Sequence, residues 1–318
     1  MSKVRDIIEN ERLIPRPTKA SPTSIVFDGN TFTLVNPVAG TDYYFNGNGI
    51  QTVKDNTTLG GFHYGLIPDT EAPTGNKTES DMVAIRGINQ YSIWTRTFRP
   101  VSEPEGMVHI NGRWYDIYLL NSEHITNGSS KAGAVIAGGV ADTINYRAIP
   151  KIPLEFGGDG VVNYGKFTWF QACEIAKSHS KELISYSEFT TIAYGVTEQV
   201  SSQTNAYEVV VGNVEHYANL TSKWGIEQAT GTQWLWGKDI GGNRDEGSVA
   251  WAWRTGLTDS RGDIYALNNN HVTAVIMGAN RVTGVNAGSR ASGWSGHILY
   301  SSWNIGSRFA CDHLQIKE

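Results

Sequence analysis

Trp234-Leu235-Trp236-Gly237 is the stretch that decides the fold of this chain of 318 residues. Two tryptophans separated by one residue point to the same side of a strand, and the glycine interrupts the strand. Because large aromatic side chains are usually buried, we interpret both tryptophans as core residues rather than as a binding site. Seven of the ten tryptophans lie in the last hundred residues, among stretches rich in Gly, Ser and Asn. This pattern predicts a loop-rich carboxyl-terminal half that is packed by aromatic rings.

The segment after the first twenty residues alternates in hydrophobicity with a period of two. Turn residues such as Asp28-Gly29-Asn30 separate its apolar runs, a pattern typical of β-hairpins. We therefore expect a small β segment over residues 21–58. Residues 1–20 are expected to form an amino-terminal arm, because Pro15 and Pro17 stop any helix there. The predicted strands are Ser24–Phe27, Thr31–Val35 and Asp42–Phe45.

Helical periodicity occurs in two segments only. Residues 168–179 place their apolar side chains on one side, and Ser187–Gly195 has a Ser N-cap, i, i+3, i+4 apolar spacing and a Gly stop. Two alternating runs, Tyr91–Phe98 and Arg113–Leu120, predict further strands. Two short helices in a chain of strands and loops define an α+β fold class.

The composition excludes several classes of partner. The formal net charge is −5 and charged residues make up 18% of the chain, so there is no general attraction to nucleic acid or to an anionic membrane. No apolar run reaches the roughly 18–20 residues of a membrane helix, and the first residues are too charged for a secretory signal. The eight histidines are dispersed and no Cys-x-x-Cys occurs, so no metal or cofactor site is predicted. Cys173 and Cys311 allow at most one disulfide.

Three short motifs are interpreted as turns or solvated loops rather than as sites. Arg261-Gly262-Asp263 lies in a Gly-rich stretch, where a turn is a simpler explanation than integrin binding. Gly157-Gly158-Asp159-Gly160 lacks the Lys-Ser/Thr that follows the glycines of a P-loop. Glu103-Pro104-Glu105 lies between Ser102 and Gly106, which provide no apolar pocket to raise the pKa of a carboxyl group.

The segment before the last strand has an unusual chemistry. Alternate residues of 280–286 would share one face of an extended segment. A core face would be uniformly apolar, but this one is neither apolar nor charged, so we predict that it is exposed. No Asp or Glu occurs between Ile264 and Ala310. The predicted face consists of Asn280, Val282, Gly284 and Asn286.

A series of sequence blocks, in the same order and with similar spacing, matches one known family. The chain resembles the major tropism determinants of bacteriophages, receptor-binding proteins that are diversified by a diversity-generating retroelement. The match extends along most of the chain, and ordered blocks are specific where any single block is not. The blocks are Gly60–Tyr64, Ile88–Trp94, Phe98–Pro100, Asp116–Leu120, Phe156–Gly160, Tyr186–Phe189, Gly195–Glu198, Thr221–Gly225, Trp234–Gly237, Gly288–Ala291 and Cys311–Leu314.

The resemblance implies a C-type lectin fold over residues 59–318, in a homotrimer, with a variable region at about 278–310. It also implies that the chain lacks the leading β-prism of the family and that residues 21–58 are part of its intermediate β domain. Alignment on Gly288-Ser289-Arg290 and Cys311-Asp312-His313 implies a set of variable, ligand-binding positions. These are Asn280, Val282, Gly284, Asn286, Gly293, Ser295, Tyr300, Ser302, Asn304 and Ile305.

Adenine-directed mutagenesis, which the resemblance implies, starts from asparagine codons. Asn280, Asn286 and Asn304 resemble unmutated template residues, and the framework Gly288–Ala291 would hold the scaffold while the surface changes. The function implied is recognition of a protein or other receptor on the surface of a host cell, by a virion tail fibre or an otherwise surface-displayed protein.

Aromatic side chains are the expected anchors of such an interface. Tyr300 is the first candidate, and Trp294 and Trp303 are flanking candidates. The alternative, in which both tryptophans are core residues, stays equally open.

Three other functions are alternatives to receptor binding: two are enzymatic and one is sugar binding. Formylglycine-generating oxidases share the fold, but their chemistry needs a close pair of reactive cysteines, and Cys311 stands alone. A viral glycan-active protein needs two well-placed carboxylates, which the segment before Ala310 lacks. Calcium-dependent sugar binding is disfavoured because Ile305 follows Trp303-Asn304, so the Trp-Asn-Asp signature is absent. The prediction is a protein that is not an enzyme.

Overall fold

The amino-terminal segment forms antiparallel strands, as its period-two alternation predicts. The first sheet contains β1 (Thr18–Ser21), β2 (Ser24–Phe27) and β3 (Asn30–Thr33). Asp28 and Gly29 join β2 to β3 with φ values of 48° and 75°, the conformation of a tight two-residue hairpin turn.

The computed structural model describes residues 15–67, 86–141, 147–202, 218–243, 252–254, 262–266 and 269–315. Residues 1–14 of the predicted arm and Arg261 of the predicted turn lie outside these ranges.

A second sheet follows directly, with the order β5-β4-β6-β7 and with β8 paired to β6. Antiparallel pairing of β4 with β6 crosses the predicted boundary after residue 58. The sheet is therefore continuous across that boundary, and the division of the chain into units stays a prediction. The strands are β4 (Thr41–Asn46), β5 (Gly49–Gln51), β6 (Gly60–Leu66), β7 (Arg86–Ile88) and β8 (Trp94–Thr95).

The strand predicted over Tyr91–Phe98 is largely wrong. Gln90–Ser92 forms a 3₁₀ turn, and the side chain of Asn89 caps it by accepting a hydrogen bond from the backbone of Tyr91. Only β8 within the predicted range is a strand. A side chain that competes for backbone hydrogen bonds thus overrides the alternating pattern.

The third sheet begins with β9 (Met107–Ile110) and β10 (Arg113–Asp116), which pair antiparallel. The strand predicted over Arg113–Leu120 ends early: the backbone of Ile117 still donates to Gly106 in the same register, but Gly106 has a φ of 64° and the amide of Tyr118 donates to the hydroxyl of Ser130 at 3.0 Å. The helices are α1 (His124–Asn127), α2 (Trp169–Ser178) and α3 (Tyr186–Ile192), and a short strand β11 (Glu182–Leu183) lies between the last two.

Both predicted helices are present, and local capping explains their starts. Thr168 and Gln171 form a capping box at α2. At α3 the hydroxyl of Ser185 accepts from the backbone of Glu188, whose carboxylate accepts from the backbone of Ser185 at 2.8 Å. The N-cap is therefore Ser185 and not Ser187, because a capping box needs its acidic partner three residues later.

A six-stranded sheet forms the centre of the carboxyl-terminal half. Its order is β13-β14-β16-β15-β12-β17, with parallel pairing of β14 to β16 and of β12 to β17. The edge position of β17 matters for the site, because the loop before it opens to solvent. The strands are β12 (Trp234–Asn243), β13 (Ala252–Arg254), β14 (Ile264–Ala266), β15 (Asn269–Met277), β16 (Ser292–His297) and β17 (Ile305–Gly306).

The middle of the six-stranded sheet is buried on both faces over residues 234–237 of β12 and 273–277 of β15. One face carries Leu235 and Val275 and packs against α3. The opposite face carries Trp236, which is fully buried, and packs against α2. Trp234 is 7% exposed on that same face. The interpretation of the two tryptophans as core residues is confirmed.

The last strand, β18 (Phe309–Asp312), returns to the third sheet and lies between β11 and β10. The chain therefore leaves the six-stranded sheet at β17 and enters the middle of another sheet within a few residues. The whole is a mixed fold, rich in strands and with few helices, as the α+β prediction states.

Candidate functional site

Residues 280–286 form a turn and not the extended segment that the alternation predicts. The Asn280 side chain is 5% exposed, and its Oδ1 accepts hydrogen bonds from the backbone of Val282 at 3.1 Å and the hydroxyl of Thr283 at 2.7 Å. A 3₁₀ turn over Gly284–Asn286 follows. The four alternate residues therefore do not share one face, because Asn280 turns inward to build the turn.

This turn exposes apolar side chains. Val282 is 56% exposed and Val285 is 69% exposed. Ser201 holds the backbone between them: its hydroxyl donates to the carbonyl of Arg281 at 3.0 Å and accepts from the backbone of Gly284 at 2.9 Å. In both contacts with Ser201 the turn uses main-chain atoms, and inside the turn the side chains of Asn280 and Thr283 complete it, while the valines point into solvent.

A second exposed loop connects β16 to β17. Tyr300 is 52% exposed and Leu299 is exposed beside it. The backbone amide of Gly139 donates to the carbonyl of Ser302 at 2.8 Å. A Cβ at Gly139 would lie 2.3 Å from the backbone nitrogen of Ser302, so only glycine permits this close approach.

Two more main-chain contacts hold the end of the same loop. The side-chain amide of Gln233 donates to the carbonyl of Trp303 at 3.4 Å, and the backbone of Trp234 donates to the carbonyl of Asn304 at 2.9 Å. Peptide groups of the loop make these attachments, and Ser301 adds a side-chain contact, because its hydroxyl donates to the carbonyl of Gly139 and accepts from the backbone of Phe167.

The two loops lie beside one another at the edge of the six-stranded sheet. The guanidinium of Arg281 lies over the ring of Trp303, 5.2 Å from its centroid. A parallel bridge joins Thr232 to Asn280, and two residues further along the same chain Trp234 pairs with Ile305. We call residues 280–286 and 298–304 together the paired loops.

The structure separates the positions implied by alignment into two groups. Gly293 and Ile305 are buried in ladders, and Asn280 is buried in its turn. A Cβ at Gly293 would lie 2.9 Å from the side chain of Ile276, and the Ile305 side chain is 1% exposed. The positions that are at least partly exposed are Val282, Gly284, Asn286, Ser295, Tyr300, Ser302 and Asn304.

The two candidate flanking tryptophans differ in environment. The Trp294 ring packs edge-on against Tyr186, with centroids 5.9 Å apart, and contacts the core cluster on the α3 side of the sheet. Trp303 is partly exposed and stacks with Arg281. Trp294 therefore belongs to the body, and Trp303 belongs to the paired loops.

The framework between the loops is buried and polar. The backbone and hydroxyl of Ser289 donate to the carboxylate of Glu198 at 2.9 and 2.7 Å. The hydroxyl of Tyr186 donates to the carbonyl of Arg290 at 2.9 Å. Charge-assisted hydrogen bonds of this kind are stronger than neutral ones, so this segment is fixed while the loops on either side of it are exposed.

The thiols do not have the character of catalytic cysteines. Cys173 and Cys311 are both free. Burial raises the pKa of the Cys173 thiol to about 11 and also raises the pKa of Cys311, whose Sγ lies 3.2 Å from the hydroxyl of Ser102. A nucleophilic cysteine needs the opposite shift.

The paired carboxylates of the Glu103-Pro104-Glu105 motif are also poor candidates for acid catalysis. Both form ion pairs with Lys54, at 2.8 and 3.2 Å. The hydrogen bond from Lys54 is the main cause that lowers the pKa of Glu103, whereas a general acid needs a raised pKa. These carboxylates line a polar cleft of about 720 Å³ between the second sheet and α1.

Within the described ranges, no group of three or more His, Cys, Asp or Glu side chains has the geometry of a metal site. Among the helices of those same ranges, none has the length and apolar character needed to cross a membrane.

Sequence reasoning missed Val285 and Leu299, which are among the more exposed apolar side chains of the paired loops. Each is next to a position that alignment implied. The available signal was an apolar residue inside a Gly-, Asn- or Ser-rich turn, where a core role is unusual.

Comparison with solved structures identifies the class of protein to which this geometry belongs. The M1 variant of the Major Tropism Determinant is 31% identical, with a TM-score of 0.74 over 96% of this chain and 85% of that chain. The U1 variant is 30% identical, with the same TM-score and coverage. The chain therefore belongs to the major tropism determinant family.

Among curated proteins, the chain is similar to the tail fiber receptor-binding protein of Bordetella phage BPP-1. The two are 36% identical over 262 residues, which are 80% of this chain and 63% of that protein. This chain thus spans less than two thirds of the length of that relative. No protein-family model matches the chain.

Proposed function

We propose that this chain is a receptor-binding protein of a phage tail fibre and that it recognises a receptor on the host cell surface through the paired loops. The observation that carries this proposal is the coincidence of two facts. The chain is 36% identical to a tail fiber receptor-binding protein, and its carboxyl-terminal loops expose apolar side chains on a backbone that other residues hold in place.

The exposed side chains are suited to a receptor whose surface has both apolar and hydrogen-bonding groups, as a protein surface does. A tyrosine combines a large apolar ring with a hydroxyl, and Tyr300 is the best anchor of this type in the paired loops. Val282, Val285 and Leu299 add aliphatic surface. Complete burial of such a side chain against a partner contributes about 1.5–3 kcal/mol, so a few of them supply the energy of a specific contact.

Diversification by a retroelement is part of the proposal. This part is supported by the hydrogen bonds that peptide groups of the paired loops make with the body. Such bonds do not depend on which side chains the loops expose, so the exposed residues can change while the loops stay in place. On this view the partly exposed positions Val282, Gly284, Asn286, Ser295, Tyr300, Ser302 and Asn304 vary, on a C-type lectin fold. The encoding DNA tests this: a reverse-transcriptase gene and a template repeat that differs only at adenines should lie nearby.

We also propose that the protein acts as a homotrimer in the virion. Three copies of a weak site raise the effective affinity by roughly 10²-fold or more when receptors are suitably spaced. Light scattering coupled to size-exclusion chromatography measures the mass of the assembly directly, and a monomer would contradict this part of the proposal.

The binding experiment compares two valines of matched exposure. Val285 in the paired loops is 69% exposed and Val53, after β5, is 70% exposed. The probe is the purified protein, and its binding is measured on cells of the bacterium that the encoding phage infects. Val285→Ser and Tyr300→Ser should each weaken binding by about tenfold or more, as truncation of an interface anchor does.

Val53→Ser is the control and should bind as the unchanged protein does. If both loop variants bind normally while the control loses binding, the receptor contacts a different surface and the proposal is wrong.

A further inference from the structure

Four polar side chains, three of them buried and Asp42 partly exposed, form a continuous line between the second sheet and the carboxyl-terminal sheets. Asp42 of β4 contacts Nδ1 of His63 at 3.0 Å through its Oδ1. Nε2 of His63 lies 2.8 Å from the hydroxyl oxygen of Tyr118, which lies 3.2 Å from Oε1 of Glu227. His63, Tyr118 and Glu227 are at most 2% exposed. We call these four residues the buried polar chain.

The buried polar chain is one hydrogen short of what its contacts need when both carboxyls are ionised and His63 and Tyr118 are neutral. Oδ1 of Asp42 also accepts from the backbone amide of Gly106 at 3.1 Å, so we take it as the acceptor toward His63 as well, and the Nδ1 hydrogen serves this contact. The two remaining contacts, at Tyr118, need two hydrogens, but the phenol supplies only one. The other must come from Nε2 of a doubly protonated His63 or from a protonated carboxyl of Glu227. Without it, two lone pairs would face one another in a buried site, which is costly.

We propose that the buried polar chain holds one proton beyond those of a neutral His63, a neutral Tyr118 and two ionised carboxyls. We propose further that loss of this proton as the pH rises weakens the junction between the second sheet and the carboxyl-terminal sheets. The junction is defined by the two contacts at Tyr118, which join β6 to the segments that follow β10 and precede β12.

The neighbouring charged groups do not supply the missing hydrogen themselves. The buried Arg308 guanidinium donates to the backbone carbonyls of Glu227 and Gln228, at 2.6 and 3.3 Å. On the far side of Arg308 its other nitrogen donates to the carbonyls of Asp116 and Ile117. Asp116 is itself paired with Lys181 at 2.5 Å.

The titration of the surrounding groups agrees with this geometry. Burial raises the pKa of Glu227 to about 7, against opposing contributions from His63, the Leu66 amide, Tyr118 and Arg308. Burial also raises the pKa of Tyr118 far above its usual value, so the phenol keeps its hydrogen. The native state therefore binds the extra proton more tightly than an unfolded chain does, where a glutamate titrates near 4.3.

The contribution of the extra proton to the free energy of unfolding therefore decreases as the pH rises. The stabilising contribution is complete below the unfolded pKa of about 4.3 and is lost as the pH rises through about 7. Other groups act in the opposite direction: burial lowers the pKa of His109 to about 4 and that of His179 to about 3. Their contribution is present above the usual histidine pKa of about 6.5 and is lost as the pH falls.

The variant Glu227→Gln separates the contribution of the extra proton from that of the two histidines. In Glu227→Gln the amide nitrogen donates permanently where the proton would, so this variant keeps the hydrogen bonds at every pH. The ratio of the unfolding constants of the two proteins is measured from pH 5 to 8.5. It should change in favour of Glu227→Gln by up to about tenfold per pH unit as the pH rises to about 7, and then become constant. Glu103→Gln, at an exposed carboxyl, is the control and should show no such change.

A second measurement needs no variant, so it remains decisive if Glu227→Gln does not fold. Infrared difference spectra of the unchanged protein detect a protonated carboxyl, and ¹⁵N NMR of His63 detects an imidazolium. One of these two signatures should be present at pH 6 and lost by pH 8.5. Neutral His63 together with ionised Glu227 at pH 6 would overturn the proposal, and so would a constant ratio of unfolding constants.

Amide exchange tests the junction itself. At one pH above 8, amides of β6 should exchange faster in the unchanged protein than in Glu227→Gln, whereas amides of β15 should not differ. Equal exchange of β6 in both proteins would overturn the second part of the proposal.

Discussion

The paired loops and the seven residues that follow them are neighbours in sequence and opposites in structure. Val282 and Tyr300 extend into solvent from a backbone that other parts of the chain hold. Residues 305–311 are all buried, and Arg308 among them attaches through its side chain to four backbone carbonyls. The comparison teaches that tolerance to substitution depends on which atoms make the attachment, and not on position along the chain.

The largest effect is expected at Arg308. Replacement by methionine in Arg308→Met fills similar space but leaves four buried carbonyls without their charged donor. We expect a loss of about 3–5 kcal/mol in the free energy of unfolding, measured by urea denaturation. The exposed Lys131→Met is the control and should change stability by less than about 0.5 kcal/mol. A small loss at Arg308 would remove the contrast between the two regions.

A somewhat smaller effect is expected at Ile305, which alignment places among the variable positions. Ile305→Ala removes a fully buried side chain from the ladder beside Trp234 and should cost about 2–4 kcal/mol. Urea denaturation again measures this loss. If the variant is as stable as the unchanged protein, then Ile305 belongs with the displayed positions despite its burial.

Asn280 tests the boundary between the two regions. Its Oδ1 accepts two hydrogen bonds that build the turn, and Asn280→Ala removes both at a cost of about 1–2 kcal/mol. Asn286→Ala is the matched control: the same substitution in the same loop, at a partly exposed position, should cost less than about 0.5 kcal/mol. Equal costs at the two asparagines would contradict the assignment of Asn280 to the scaffold.

The smallest effect is expected at the exposed side chains of the paired loops. Val282→Ser and Tyr300→Ser should each change the midpoint of thermal unfolding by no more than a degree or two, which corresponds to less than about 0.5 kcal/mol. Calorimetry measures this midpoint. A loss comparable to that of Ile305→Ala would mean that the exposed side chains help to hold the loops.

Elements with local signals were predictable from the sequence. The strand Ser24–Phe27 is confirmed to the residue, because a tight turn and an alternating pattern fix its ends. The helix over 169–178 follows from its capping box and apolar spacing. The burial of Trp236 followed from the size of its ring and the glycine after it.

The elements that the sequence did not predict depend on distant partners. The short strand over 94–95 is set by pairing with β6, and the early end of β10 by a hydrogen bond from the Tyr118 amide to the hydroxyl of Ser130. The conformation of residues 280–286 was missed because the side chain of Asn280 competes with an extended backbone. His63 and Tyr118, which are 55 residues apart, carry no pattern that connects them in the sequence.

The attachment of the paired loops by peptide groups has an evolutionary consequence. Every amino acid carries the backbone carbonyl through which Ser302, Trp303 and Asn304 accept hydrogen bonds. Successive substitutions of these three side chains therefore keep the same three hydrogen bonds to the body. Gly284 in the other loop is different: its φ of 64° favours glycine over other residues, and its amide hydrogen, which donates to Ser201, excludes proline. If the loops diversify as proposed, intermediates between two specificities are folded proteins, and a change of receptor does not have to pass through an unstable ancestor.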